Sequence, residues 1–275
     1  MVSSMVTLSI VLPTYNRGNC IKRFLKSLRS QSYDDWELII VNDASKDGTP
    51  KIISKFASYD KRIHPYSLKK HRGLPAARNI GVQLSKGNLI FFGEDDIIFK
   101  NKDALISLMN TYFELKESYR VGAVGPRLLG SGYKWLNDVV KIGSISRWIY
   151  HNFEYDPGRI VEVPVLHSCS LISKKAFYEV GGFEERLYTG TYVYEEVDFY
   201  YRLRMNGYKL FFQPKSVIQH DHVRTGGCEK NNLIRTYYNE FRNSILFLSR
   251  FYGFSQVFRI FIYPGLRIVF PRKPL

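Results

Sequence analysis

Four groups of polar residues in this chain have types and spacings suited to chemistry. Glu94, Asp95 and Asp96 follow the apolar run Leu89-Ile90-Phe91-Phe92 after the single residue Gly93. Adjacent carboxylates repel one another; a divalent ion such as Mg²⁺ or Mn²⁺ relieves that repulsion and can share its oxygen ligands with a diphosphate. The same three acids would also suit a helix N-terminus, where carboxylates complement the dipole. Asp43 ends a second apolar run, in Asn42-Asp43-Ala44-Ser45. There its acceptor-only side chain suits an N–H on a nucleobase edge, or an Asx turn. Glu195, Glu196 and Asp198 open a helical stretch that ends near Gly207; facing a cleft, one of them would be a general base, and together they would complement a dipole. His220 and His222 alternate about Asp221, so an extended segment would point both imidazoles one way, as metal or phosphate binders or as structural histidines.

The elements that must position these groups read as alternating strands and helices. Thr7 to Leu12 is β-rich and stopped by Pro13, and Trp36 to Val41 is a second such run. Between them Ile21, Phe24, Leu25 and Leu28 recur at helical spacing opposite Lys22, Arg23, Lys26 and Arg29, behind a cap at Gly18-Asn19. A helix from Pro50 to Phe56, a strand near Arg62 to Ser67, a helix from Leu74 to Leu84 and the strand ending at Phe92 continue the pattern. This order predicts an α/β domain with a mainly parallel sheet, whose ligands bind beyond the carboxyl ends of the strands. Three of those ends carry Pro13-Thr14-Tyr15-Asn16-Arg17, Asn42-Asp43 and Gly93-Glu94-Asp95-Asp96. The stretch from Gly130 to Gly158, with Trp135 and Trp148, reads as a long excursion beside the site, and the text beyond Pro214 as helical and aromatic.

Composition narrows the classes. With 275 residues, 45% hydrophobic and 24% charged, the chain is globular rather than disordered or low-complexity. Three cysteines without CxxC spacing support neither a disulfide framework nor a cysteine zinc site and suit a reducing cytoplasm. The opening residues lack a basic n-region, so no signal peptide is expected. The net charge of +15 is uneven: from Phe199 onward 13 basic residues face three acidic ones, predicting an anionic partner. The absence of GxxxxGK, GxGxxG, GxSxG and HExxH removes support for P-loop hydrolysis, a Rossmann dehydrogenase, that type of serine hydrolase and a zincin.

Taken in order, the groups resemble the family 2 glycosyltransferases of GT-A fold, from about Leu8 to about Phe247. Val11 to Arg17 is similar to the first strand and nucleotide loop, Val41-Asn42-Asp43-Ala44-Ser45 to the second, and Gly73-Leu74-Pro75-Ala76-Ala77-Arg78-Asn79 to the helix before the acidic motif. Ser170 to Glu185 resembles the acceptor-side motif, and Tyr238 to Asn243 a C-terminal helix of many members. The resemblance implies a Rossmann-like nucleotide-sugar half over 1–125 and an acceptor half over 126–240, around a mainly parallel central sheet flanked by helices. A basic aromatic tail follows over 241–275. It implies nucleotide binding by Pro13, Thr14, Tyr15, Asn16, Arg17, Asp43, Arg78 and Asp95, and Mn²⁺ or Mg²⁺ held by Asp96, Asp95 and His220. Gly93 stands where the family has an aspartate, with Glu94 as a partial substitute. Glu196 is the implied catalytic base with Glu195 in reserve, and Gly182, Phe183 and Asp198 lie on the acceptor side.

The implied activity is metal-dependent, inverting hexosyl transfer from a nucleoside diphosphate sugar, UDP favoured, to a hydroxyl of a glycan or polyprenyl-linked acceptor. The tail's aromatics and arginines suit either an anionic membrane interface or packing on the catalytic domain, so the expected location is cytoplasmic, peripheral on the cytoplasmic face of the membrane. No nucleic-acid partner is expected, because the basic residues gather in one tail without a recognised motif. The competing readings are a nucleotidyltransferase using a sugar phosphate, a basic nucleic-acid-binding protein, and a catalytically weak homologue.

Overall fold

A computed structural model describes residues 7–257 except 145, 146, 148, 189, 191, 193 and 224–232. Trp148, Cys228 and the tail over 258–275 therefore lie outside the described residues. β1 (Leu8–Thr14) and β2 (Trp36–Asn42) are buried along their whole length, as expected of strands covered on both faces. Between them α1 (Gly18–Leu28) buries Ile21, Phe24, Leu25 and Leu28 and leaves Lys22, Arg23, Lys26 and Arg29 in solvent. α2 (Thr49–Tyr59) leads to β3 (Ile63–Ser67), and α3 (Leu74–Leu84), which packs on β1 and β2, leads to β4 (Leu89–Phe92).

The second half is more broken. β5 (Ile97–Phe99), α4 (Ala104–Leu115) and β6 (Val121–Leu129) precede an antiparallel pair, β7 (Val140–Ile142) and β8 (Ile149–His151). β9 (Val161–Glu162), β10 (Leu171–Ser173), α5 (Lys174–Glu179), α6 (Glu195–Met205), β11 (Lys209–His220) and α7 (Leu233–Tyr252) follow. Among the described residues the main sheet has nine strands, in the order β3-β2-β1-β4-β10-β6-β11-β5, with β9 beside β11. β3, β2, β1 and β4 are mutually parallel. β10 enters between β4 and β6 antiparallel to both, and β6 and β11 are parallel again. The parallel expectation thus describes the first half, and β10 is the seam to a mixed second half.

One later reading differs from the observed elements. The segment after Pro214 is not yet helical: β11 continues through it to His220, with a register shift between Gln213 and Val217. A bulge is one of the few places where a strand tolerates proline, since no ladder hydrogen bond is lost there. The start of the basic tail packs on the body, because α7 buries Phe247 and Leu248 and stacks Phe247 on Tyr194 and edge-on to Tyr201. The division at 240/241 falls inside this helix. No helix among the described residues is long and apolar enough to cross a membrane.

Candidate active site

The acidic turn begins where β4 ends. Gly93 donates its N–H to the Val11 carbonyl at 2.9 Å, so Glu94, Asp95 and Asp96 emerge beside the end of β1. Asp95 faces that strand: it accepts from Thr14 Oγ1 at 2.7 Å and from Arg17 Nη1 at 3.1 Å. Asp96 accepts from Arg17 Nη1 at 2.8 Å and from the Val223 N–H at 3.1 Å, and its other oxygen lies 3.1 Å from His220 Nε2. The same Nε2 is 3.3 Å from Glu94 Oε2. Burial pushes the Asp95 carboxyl up to about 7, with Arg17 and Thr14 opposing. Asp96 is held down at about 2, since His220 and Arg17 outweigh the burial that would raise it. Burial would lower His220, but the hydrogen bond to Asp96 and the charges of Glu94 and Asp96 prevail and push it up to about 9.

One ligand atom each from Glu94, Asp96 and His220 lies within 4.8 Å of the others. Two carboxylates and an imidazole fit a divalent ion, and the nitrogen suits Mn²⁺ better than Mg²⁺. Asp95, expected among the metal ligands, is not in this group, because both its oxygens are engaged by Thr14 and Arg17. Glu94 completes the candidate group instead. The two imidazoles do come together, 3.9 Å between ring centroids, but His222 bonds to the Gly130 carbonyl and stays out of the cluster.

α6 carries the other carboxylates. Glu195 is 1% exposed and ion-paired with Arg78, whereas the Glu196 side chain keeps 36% of its surface and lies 3.9 Å from the same guanidinium. Arg78 is fully buried; its second terminal nitrogen is 3.2 Å from Glu94 Oε1 and its plane lies over the Phe183 ring. The guanidinium expected to meet the nucleotide is enclosed here and binds the acidic turn to the first turn of α6. Burial and the charge of Glu195 raise the Glu196 carboxyl above the usual range, with Arg78 opposing.

The three residues expected on the acceptor side support the cleft from behind. Asp198 is completely buried and accepts from Arg202 Nε at 2.6 Å and Tyr188 Oη at 3.0 Å, with Arg250 Nη1 at 3.1 Å. It ties α6 to α7. Phe183 sits in an aromatic cluster with Phe92, Phe177 and Phe199. Gly182 packs against Phe177 and Asn79, and Asn79 clasps the turn by donating to the Phe183 carbonyl and accepting from the Phe183 N–H, both at 2.9 Å. All three are buried.

The nucleotide loops are laced together. The Asn16 N–H donates to Ser45 Oγ at 2.9 Å and Asn16 Oδ1 accepts from the Lys46 N–H at 2.8 Å. Pro13 pairs with Val41 in the sheet, and Tyr15 is half-buried. Asp43 is 3% exposed, and its oxygens accept the N–H groups of Arg72 at 2.7 Å and Gly73 at 2.8 Å. It organises the loop after β3, the one strand end left out of the sequence reading; His71 and Arg72 were missed for that reason. Gly73 needs its freedom, with φ +90° and with a Cβ there placed 2.1 Å from Tyr192 Oη. Non-glycine residues with positive φ also gather here: Asn16 at 54°, Ala44 at 61°, Tyr192 at 54°, Tyr194 at 75° and His222 at 48°. Backbone strain of this kind concentrates at functional sites.

One buried histidine beside the cleft sets a pH dependence of stability. His167 is 5% exposed and bonded through Nε2 to the Pro126 carbonyl at 2.9 Å. Burial lowers it from 6.5 to about 4, with the Pro126 bond opposing. Between those values the unfolded chain binds the proton and the folded one does not, so stability falls as pH drops from 6.5 towards 4, by about 3 kcal/mol. Urea unfolding across this range is expected to show a shallower loss in His167→Gln than in the wild type; equal slopes would exclude His167 as a cause.

The acids, the base pair and three strand ends form one constellation, and comparison with known proteins gives it a name. The family model for glycosyl transferase family 2 matches residues 9–181. The chain belongs to this family. A putative teichuronic acid biosynthesis glycosyltransferase, TuaG of Bacillus subtilis, is 36% identical over 97 residues, covering 35% of this chain and 38% of that protein. An uncharacterized glycosyltransferase of Rickettsia felis is 30% identical over 191 residues, 66% of this chain and 29% of its own. These matches span less than half of either relative. Among solved structures, this glycosyltransferase is similar to the Pyrobaculum calidifontis mannosyltransferase PcManGT in complex with GDP-Man and Mn²⁺, with TM-score 0.63 and 17% identity over 97% of this chain and 76% of that one. It is similar to S. aureus TarS 1-349 in complex with UDP-GlcNAc at TM-score 0.64 and 16% identity, over 96% of this chain and 73% of that one. The fold is GT-A.

Proposed function

We propose that this glycosyltransferase moves a hexosyl group, with inversion, from a UDP-sugar to a hydroxyl of a glycan or polyprenyl-linked acceptor in a metal-dependent reaction. The observation that carries this reading is the Arg78 guanidinium, which touches Glu94 of the candidate metal group and both glutamates of α6. The base and the groups that would meet the diphosphate are thereby set on either side of one buried cation. Glu196 takes the proton of the acceptor hydroxyl as its oxygen bonds to the anomeric carbon, and the bond from that carbon to the diphosphate breaks on the opposite face. A divalent ion held by Glu94, Asp96 and His220 would neutralise charge on the departing diphosphate. Arg17, beside Asp95 and Asp96, adds a second positive charge at the same strand end.

Calorimetric titration with UDP, GDP, dTDP and CDP, each with and without Mn²⁺, tests this. The expected result is Mn²⁺-dependent binding of UDP, abolished in Asp96→Ala; absence of binding to all four would overturn the reading.

The acceptor side of the proposal places α7 at an anionic membrane. Its outer face carries the exposed residues Ile234, Tyr237, Tyr238 and Phe241 at helical spacing, and the chain beyond Glu240 holds six basic residues and no acidic one. The protein is expected to float with anionic vesicles and not with neutral ones; remaining at the bottom of the gradient with both would remove the membrane from the proposal.

A further inference from the structure

The excursion between β6 and β9 holds a cluster of three aromatic rings. Tyr133, Trp135 and Tyr150 stand 5.6 to 5.9 Å apart between centroids, inclined to one another by 51° to 66°. Trp135 is 65% exposed, and the two tyrosines are half-buried. The backbone fixes them. The buried Leu136 donates its N–H to the Tyr133 carbonyl at 2.9 Å, so Lys134 and Trp135 form the corner of a closed turn. Gly132 lets the chain enter that turn: its φ is +110°, and a Cβ there would fall 2.6 Å from the His151 carbonyl oxygen, to which the Tyr133 N–H donates at 2.7 Å. Behind the cluster, ring contacts run from Tyr133 to His151, then to the buried Phe153 and on to His167, at 5.8, 4.9 and 5.0 Å. An indole held in water by a closed turn, with two further rings beside it, forgoes burial and suits a face that another molecule covers.

The cluster is tied to the candidate site. The Gly130 carbonyl accepts from His222 Nε2 at 2.7 Å, and the His222 ring is 3.9 Å from that of His220 in the candidate metal group. The five residues from Gly130 to Trp135 span at most about 18 Å even when fully extended, a distance that a short oligosaccharide covers. We infer that Tyr133, Trp135 and Tyr150 are a stacking face for sugar rings of a glycan acceptor, beyond the unit that receives the new sugar. This rests on the glycosyl-transfer reading above and selects the glycan from its two classes of acceptor. One face of a pyranose carries C–H groups, whose positive edge suits the negative face of an aromatic ring. The hydroxyls at the rim of the sugar then need polar neighbours, and the same segment exposes Lys134, Asn137, Asp138 and Lys141. A prenyl chain would cover those groups without bonding to them, at a cost in desolvation. The consequence is a preference for acceptors of several units over single sugars.

Calorimetric titration of wild type, Trp135→Ala and Trp135→Phe tests this. The probes are cellohexaose, mannohexaose and chitohexaose, their monosaccharides glucose, mannose and N-acetylglucosamine, and farnesyl phosphate, with UDP and Mn²⁺ titrated in parallel to report on the donor site. Wild type is expected to bind at least one hexaose ~10-fold or more tightly than its monosaccharide, through stacking on more than one ring. Trp135→Ala loses that ratio and Trp135→Phe keeps part of it, while the thermal midpoint and UDP binding stay at the wild-type values. A wild type that binds no hexaose better than its monosaccharide, or a Trp135→Ala variant that keeps the ratio, overturns the stacking face. Binding of farnesyl phosphate that depends on Trp135, in place of a hexaose, also overturns it and gives the face to a prenyl chain. UDP binding in the same protein leaves the donor site standing in each of these cases; its absence from wild type overturns the underlying transferase reading as well.

Discussion

Glu196→Gln is expected to lower turnover by ~10²- to 10⁴-fold, the usual contribution of a positioned general base, and to leave nucleotide binding unchanged. The neighbouring acids narrow the choice. Glu195 is buried against Arg78, Asp198 is enclosed by Arg202, Tyr188 and Arg250, and Glu94 belongs to the candidate metal group. Glu196 alone among the carboxylates of α6 is both near that group and partly open. Glutamine preserves its shape and removes its basicity. Because burial and Glu195 raise its proton affinity, the wild-type rate should climb with pH as Glu196 loses its proton, and this limb should vanish in the variant. Single-turnover transfer across pH measures both. Retained turnover would move the base to Glu195, the other acid on that guanidinium.

The second large effect is on the fold. Arg78 is the only positive group within ion-pair distance of the buried Glu195 among the described contacts, and it also reaches Glu94 and Glu196. Arg78→Met leaves a buried carboxylate without its partner, a change that costs about 3–5 kcal/mol. For a chain of this size that is a fall in midpoint temperature of roughly 10 °C. The double variant Arg78→Met with Glu195→Met should recover much of the loss, since an ion pair replaced whole by apolar groups is often neutral. Additive losses in the double variant would show that the residues act separately.

The parts of this architecture visible in the sequence are those whose partners are local. α1 and α3 follow their apolar stripes, and β1, β2 and β4 are dense apolar runs, because strands covered on both faces have little else to be made of. β10 was not visible: its three residues are a strand only because β4 and β6 flank them. Chemistry behaved similarly. The acidic turn and the glutamate pair announced themselves by adjacency, but which acid turns inward depends on distant residues. Asp95 meets Thr14 and Arg17, 81 and 78 positions away. Asp198 is sealed by Arg250 on a helix near the far end of the chain. Local spacing could not separate a cleft-facing carboxylate from a buried one such as Asp198.

The order β3-β2-β1-β4 also works as a ruler. Neighbouring strands stand about 4.8 Å apart, so the line from the loop after β3 to the acidic turn after β4 spans roughly 14 Å in three steps. Along it come His71, Asp43, Thr14 with Arg17, and then Glu94 to Asp96, and the proposed donor would lie along the same line. This spacing is kept by backbone hydrogen bonds and is indifferent to side chains. Substitutions at these loops change the side chains offered along that line, but the spacing between the strand ends is a property of the sheet.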